Sequence, residues 1–112
     1  MAPLRRLTKR SEFLLAAKGR RVSTPGFVLQ ISDRHGNGDW IGMGFTCSKK
    51  VGNAVARNRA KRRLREIARS VLPVKGQGGY DYVLIGRAKS TAERPFPALL
   101  DDLRGALARV HG

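Results

Sequence analysis

Residues 47–69 read CSKKVGNAVARNRAKRRLREIAR and hold nine Lys/Arg against one acid, Glu66. Gly52 breaks whatever precedes it, and Asn53 is a strong N-cap, because its side-chain oxygen can accept an orphan N–H of a first helical turn. From that cap the spacing predicts a helix over 53–72, ended by Pro73. At about 100° per residue, Ala56, Ala60, Leu64, Ile67 and Val71 fall on one narrow face. Asn58, Arg62, Arg65 and Arg69 run along the opposite face, flanked by Arg57, Arg59, Lys61 and Arg63. A solvated helix face usually alternates signs and gains pairs one turn apart. Here the cations mainly repel one another, so an anionic partner is expected. The pattern describes a rigid basic rail.

The rest of the chain agrees with that expectation. The 112 residues carry 23 Lys/Arg and 8 Asp/Glu, a formal charge of +15, and the rail supplies +8 of it. A field of that sign attracts phosphate backbones. A membrane surface is the rival partner, but a membrane-lying helix wants Trp, Phe or Leu in bulk on its apolar face. The rail offers mainly Ala, Leu, Ile and Val, which suit packing on a sheet. The length fits a single domain over 1–112, and the 41% hydrophobic content suits a small two-layer core. Cys47 is the only cysteine, so neither an intrachain disulfide nor a Cys-based zinc site is expected, and it reads as a buried strand residue. No stretch has the pattern of a signal peptide or a bilayer span, so a cytoplasmic protein without a membrane partner is expected.

Around the rail, residues 1–8 read as a basic, loosely held arm. A short helix is expected over 9–18, capped by Thr8 and stopped by Gly19, with Phe13, Leu14 and Ala17 on one face. A strand is expected over 27–32, with an earlier one split off near 22–24. The turn cluster 33–39 suggests an antiparallel connection to a strand over 40–48. That strand sets Ile41, Met43, Phe45 and Cys47 against Gly42, Gly44, Thr46 and Ser48, the second side leaving room for a backbone, a ligand or water. Residues 80–86 are apolar on both sides and read as an internal strand. Residues 87–97 read as irregular, and 98–110 as a helix with Leu99, Leu103, Leu107 and Val110 inward. The class is α+β, in the order α-β-β-(β)-α-β-α.

A catalytic centre is not legible. The eight acids are Glu12, Asp33, Asp39, Glu66, Asp81, Glu93, Asp101 and Asp102, and no two have the setting of an acid–base dyad. Asp101 and Asp102 read as solvated, as do His35 in its turn and His111 in the tail. No metal ligand set is evident. A protein-only nuclease is therefore disfavoured, and a major-groove regulator would want a helix, not a strand, before the basic helix. The helix N-terminus at Gly52, beside Lys49 and Lys50, suits a phosphate. Phe13, followed by basic residues one turn on, is the best candidate for an exposed stacking platform. Phe27, Phe45, Tyr80 and Tyr82 read as core.

Residues 45–66, FTCSKKVGNAVARNRAKRRLRE, closely resemble the signature of the bacterial ribonuclease P protein subunit family. Arg57-Asn58-Arg59, followed by Lys61-Arg62 and Arg65, is the specific part. The resemblance extends to Arg6-Leu7, Ser11-Glu12-Phe13, Phe27-Val28-Leu29 and Tyr80-Asp81-Tyr82-Val83 with Arg87. It implies a single-domain α-β-β-β-α-β-α sandwich, ribosomal-protein-like, with a mixed sheet and a left-handed β-α-β crossover. It also implies partners: a catalytic RNA subunit and precursor tRNA, with no obligate protein partner. Together protein and RNA would remove the 5′ leader by Mg²⁺-dependent hydrolysis, with the metal held mainly by the RNA. By resemblance the RNA-binding set is Lys49, Lys50, Asn53, Arg57, Asn58, Arg59, Lys61, Arg62, Arg65 and Arg69. The leader cleft would be Phe13, Val28, Gln30, Arg57, Asn58 and Lys61. Ala17 and Gln30 stand where the family often has aromatic residues, so leader stacking is expected either to be weaker or to depend more on Phe13 and on hydrogen bonding from Gln30. A ribosomal-type RNA-binding protein or RNA chaperone of similar fold is the alternative, separated by this signature alone.

Overall fold

A computed structural model describes residues 2–112. The elements in chain order are β1 (Leu4–Arg6), α1 (Arg10–Lys18), β2 (Arg20–Ser23), β3 (Phe27–Asp33), β4 (Ile41–Thr46), α2 (Ala54–Lys75), β5 (Tyr80–Gly86), α3 (Ser90–Glu93) and α4 (Phe96–His111). One mixed sheet runs in the order β1-β4-β5-β3-β2. β5 pairs parallel with β4 and antiparallel with β3, which makes it the central strand its two-sided apolar sequence predicts. The architecture is the mixed α+β sheet-and-helix arrangement expected from the sequence.

The sheet has two unequal faces. On one, Phe27, Leu29, Ile31, Ile41, Met43, Phe45, Tyr82 and Leu84 meet Leu64, Ile67 and Val71 of α2 and Leu99, Leu103 and Leu107 of α4. On the other, Val83 meets Leu7 and Ala16, with Phe13 and Ile85 partly buried against them. The larger face holds most of the buried apolar surface, and so most of the hydrophobic stabilisation.

Several expectations need correction. Within the presumed arm over 1–8, Met1 lies outside the described residues, but Leu4–Arg6 forms a strand parallel to β4 and Leu7 is buried. The turn after β3 does make an antiparallel connection to β4, as expected, but the two strands are not neighbours, because β5 is inserted between them. The early strand is complete over Arg20–Ser23 and pairs with β3 at the sheet edge. In α1 the inward residue is Ala16, while Leu14 and Ala17 are exposed. A small side chain lets the helix lie close to the sheet, so size outweighs hydrophobicity here. Thr8 does not cap α1; the Glu12 carboxylate accepts from the backbone N–H of Thr8 and Lys9 at 3.0 and 2.8 Å. Pro73 lies inside the last turn of α2, which continues to Lys75. Its missing N–H leaves only the carbonyl of exposed Arg69 without a helical partner, within reach of water. Residues 87–97 are partly ordered as α3 and the start of α4.

Asp102 is not a solvated acid: Arg94 grips both of its oxygens, at 2.6 and 3.0 Å. His111 is not free either. Its Nε2 lies 2.7 Å from the Tyr82 hydroxyl and its ring meets Tyr80 edge-on. Burial pushes the Tyr82 phenol up to about 12. Cys47 lies one residue past β4 and is only half-buried.

Candidate nucleic-acid interface

The interface begins at the entry to α2. Lys49–Val51 form a single 3₁₀ turn, in which the Ser48 hydroxyl accepts from the Lys50 N–H at 3.3 Å. Gly52 follows with φ of +144°, a conformation open to glycine. Asn53 then caps α2, its Oδ1 accepting from the Ala56 N–H at 2.9 Å. That oxygen is thereby used by the helix, so only the amide nitrogen of Asn53 is left to face a ligand. Gly52→Ala is expected to destabilise the protein by roughly 1–3 kcal/mol, the cost of holding a side chain in that backbone region. Its new Cβ would also lie 2.8 Å from the Ala56 methyl. A chemical-denaturation midpoint equal to that of the unsubstituted protein would refute this.

Helical phase divides the cations of α2 into three groups. Arg63 lies on the α4 side and donates to the carbonyls of Ala92 and Arg94, the latter at 2.6 Å. It anchors the segment around α3 and is not a free charge of the rail. Arg57, Lys61 and Arg65 lie on the other flank, toward the β4 edge. Arg57 is tied to the Gly52 carbonyl at 3.1 Å. Its charge and that of Lys61 both act on the Cys47 thiol. Burial pushes that thiol up, and a backbone hydrogen bond with Gly86 and these two cations offset part of the rise. Arg59, Arg62 and Arg69 point outward. Asn58, Arg59 and Arg62 border a shallow groove of about 280 Å³ with Val55. None of Lys49, Lys50, Arg59, Lys61, Arg62, Arg65 and Arg69 has an ion pair among the described residues.

The leader-cleft residues lie on the smaller sheet face. Val28, Gln30, Val83 and Ile85 share that face, as Val28 pairs with Ile85 and Gln30 with Val83. Phe13 lies over Gly44, where a Cβ would sit 2.6 Å from its ring. The small side of β4 is therefore already filled there by the protein. Over Gly42 it is filled by the Asp81 carboxylate. Phe13 and Val28 are thus on one face, whereas α2 packs on the other, its Arg57 and Lys61 acting on Cys47 just past the end of β4. Asn58 stands farther round the helix, in the groove with Arg59 and Arg62. Phe13 is half-buried and Val28 is nearly covered at 5% exposure, so the ring is the more available surface.

A ribonuclease P family model matches residues 1–111. The chain belongs to the ribonuclease P protein family. It is 61% identical to the ribonuclease P protein component of Ruegeria pomeroyi, across 94% of this chain and 85% of that one. It is 51% identical to the component of Paramagnetospirillum magneticum, across 97% and 84%. The fold matches the ribonuclease P protein of Thermotoga maritima with a TM-score of 0.79 at 31% identity, covering 96% of this chain and 99% of that one. The family name ties the chain to a tRNA-processing ribonuclease.

Sequence reasoning missed three residues that hold the site in place. Arg34 pairs with buried Asp81 and also donates to the Trp40 carbonyl. Thr91, fully buried, accepts from the Arg87 N–H at 2.8 Å and donates to the Gly26 carbonyl at 2.6 Å. Arg63 is the third. All three act across long sequence separations that no local pattern reports. Among the described residues no three His, Cys, Asp or Glu side chains converge into a group that could hold a metal ion. No helix among the described residues is long and apolar enough to cross a membrane.

Proposed function

We propose that this chain is the protein subunit of a ribonuclease P holoenzyme, binding a catalytic RNA and the 5′ leader of precursor tRNA. The observation that carries this reading is the α2 rail, with its unpaired cations beside a sheet face bearing Phe13. In this reading the cations of α2 take phosphates of the ribozyme and of the substrate, lowering the repulsion between two polyanions. The half-buried ring of Phe13 offers a stacking surface to a leader base. The chain contributes binding and orientation, the bond cleavage belongs to the RNA, and the Mg²⁺ ions are expected there. The product would be mature tRNA with a 5′ phosphate. We further propose a cytoplasmic location, where precursor tRNA is transcribed.

The test is precursor-tRNA cleavage at low Mg²⁺ by the protein alone, by its cognate RNA alone, and by the two together. Cleavage at the mature 5′ end in the mixture only is the expected result. Cleavage by the protein alone would overturn the assignment of chemistry to the RNA. No stimulation would favour a general RNA-binding module. Arg62→Ala and Arg65→Ala should each weaken RNA binding and lower the log–log salt slope by roughly 0.7–0.9. An unchanged slope would set those side chains away from phosphate.

A further inference from the structure

The smaller sheet face continues past the leader-cleft residues to the edge strand β2. On β2, Val22 is buried in the larger core opposite Leu29. Strand alternation therefore puts Arg21 and Ser23 on the smaller face. Two rows cross that face. Arg21 lies opposite Gln30, Gln30 opposite Val83, and Val83 opposite Gly44, which is under the Phe13 ring. In the next row Ser23 lies opposite Val28, Val28 opposite Ile85, and Ile85 opposite Thr46. Three strand spacings separate Gly44 from Arg21, or about 14 Å. Beyond the β4 end of these rows, Cys47 turns to the larger core and feels the charges of Arg57 and Lys61 on α2.

The face thus carries an aromatic ring and apolar side chains, and it ends at the β2 edge in a cation. Ala17, one turn after Phe13, adds only an exposed methyl group. Gln30 is half-buried and uncharged. Arg21 is exposed, and its side chain has no hydrogen bond or ion pair among the described residues. Its neighbour Arg20 is directed to the opposite face, where it donates to the Arg109 carbonyl at 3.2 Å.

We propose that Arg21 binds a backbone phosphate of the single-stranded leader, carrying the leader track from Phe13 across the sheet to the β2 edge. This rests on the leader-binding reading above. An exposed guanidinium at the end of an apolar strip suits a phosphate whose neighbouring base is held on that strip. Arg21 then sets how strongly the holoenzyme distinguishes precursor from mature tRNA, in place of a second aromatic contact.

The test uses the reconstituted holoenzyme and measures Kd for precursor and mature tRNA as a function of salt. Arg21→Ala should weaken precursor binding about 5-fold or more and lower its salt slope by roughly 0.7, as expected for one single-strand phosphate contact. Mature tRNA binding should stay unchanged. Arg21→Lys should retain the slope. Arg20→Ala makes the same change of net charge on the other face and should leave the precursor-to-mature ratio intact. Equal losses for both tRNAs, or equal effects of Arg20→Ala and Arg21→Ala, would overturn the proposal in favour of general electrostatics. Phe13→Ala separates the two levels of argument. If it weakens precursor binding selectively while Arg21→Ala does not, the leader reading stands and the Arg21 contact is wrong. If neither variant discriminates, both fall.

Discussion

Replacing Arg34 with alanine is expected to destabilise the protein by about 3–5 kcal/mol, the usual cost of removing one partner from a buried ion pair. The Asp81 side chain is 7% exposed and that of Arg34 12%, so water can do little for a carboxylate left alone. Arg34 also donates to the Asn37 carbonyl at 3.0 Å and lies 4.3 Å from the centre of the Trp40 ring. Its loss therefore loosens the turn before β4 as well. Burial already pushes the Asp81 carboxyl above its ordinary value of 3.8; Arg34 opposes that rise and Glu12 adds to it. Without Arg34 the carboxyl moves higher still. A carboxyl whose folded value exceeds its unfolded one favours the folded state at low pH. That contribution is lost as pH rises from 3.8 through the folded value. The deficit of Arg34→Ala should thus be largest near pH 7 and shrink on acidification. Urea unfolding of both proteins at several pH values measures it. A deficit that is small, or the same at every pH, would mean that Asp81 is not held by this pair. Adding Asp81→Asn to Arg34→Ala should recover most of the loss at neutral pH, because no charge is then buried alone.

What could be read from the sequence and what could not follow from the range of each interaction. The α2 rail was legible because its signals are local: the Asn53 cap, apolar residues at helical spacing and the near absence of acids. The central place of β5 was legible because its middle is apolar on both sides. Strand neighbours were not. The turn at residues 33–39 reports that the chain reverses there, and β3 and β4 do run in opposite directions. It could not report that Tyr80–Gly86, far along the chain, would enter between them. β1 was missed because Leu4-Arg5-Arg6 carries two charges in three residues, and its strand form depends on pairing with Ile41–Met43. In α1 the run Phe13-Leu14-Leu15-Ala16-Ala17 is apolar all round, so periodicity could not choose a face. Close contact with the sheet chose Ala16. Arg63 reads as a member of the basic rail and Arg94 falls in a stretch that reads as irregular, yet carbonyls and a carboxylate from other elements claim them. A charge count gives the sign of the partner but not which cations are free to meet it.

Phe13→Ala should weaken holoenzyme binding of precursor tRNA by roughly 1–3 kcal/mol, about 5- to 150-fold in Kd, while leaving mature tRNA unaffected. The size follows from loss of one base–aromatic stack, and the selectivity from the leader being the part that mature tRNA lacks. The position of the ring sharpens the test. One side of Phe13 rests over Gly44 and the ring joins the cluster of Leu7, Ala16 and Val83, so alanine also removes packing. Lost packing alone would lower stability and weaken binding of both tRNAs through a smaller folded fraction. Phe13→Leu separates the two effects, since it keeps much of the apolar contact with Val83 but has no π-face for a base. Leucine should restore the unfolding midpoint and still bind precursor tRNA poorly. Gly44→Ala approaches the same contact from beneath. Its Cβ would meet the ring at 2.6 Å, so the ring must shift, and precursor selectivity should fall although Phe13 is present. If leucine restores selectivity together with stability, the ring serves only the fold, and the leader must be held elsewhere on the sheet face.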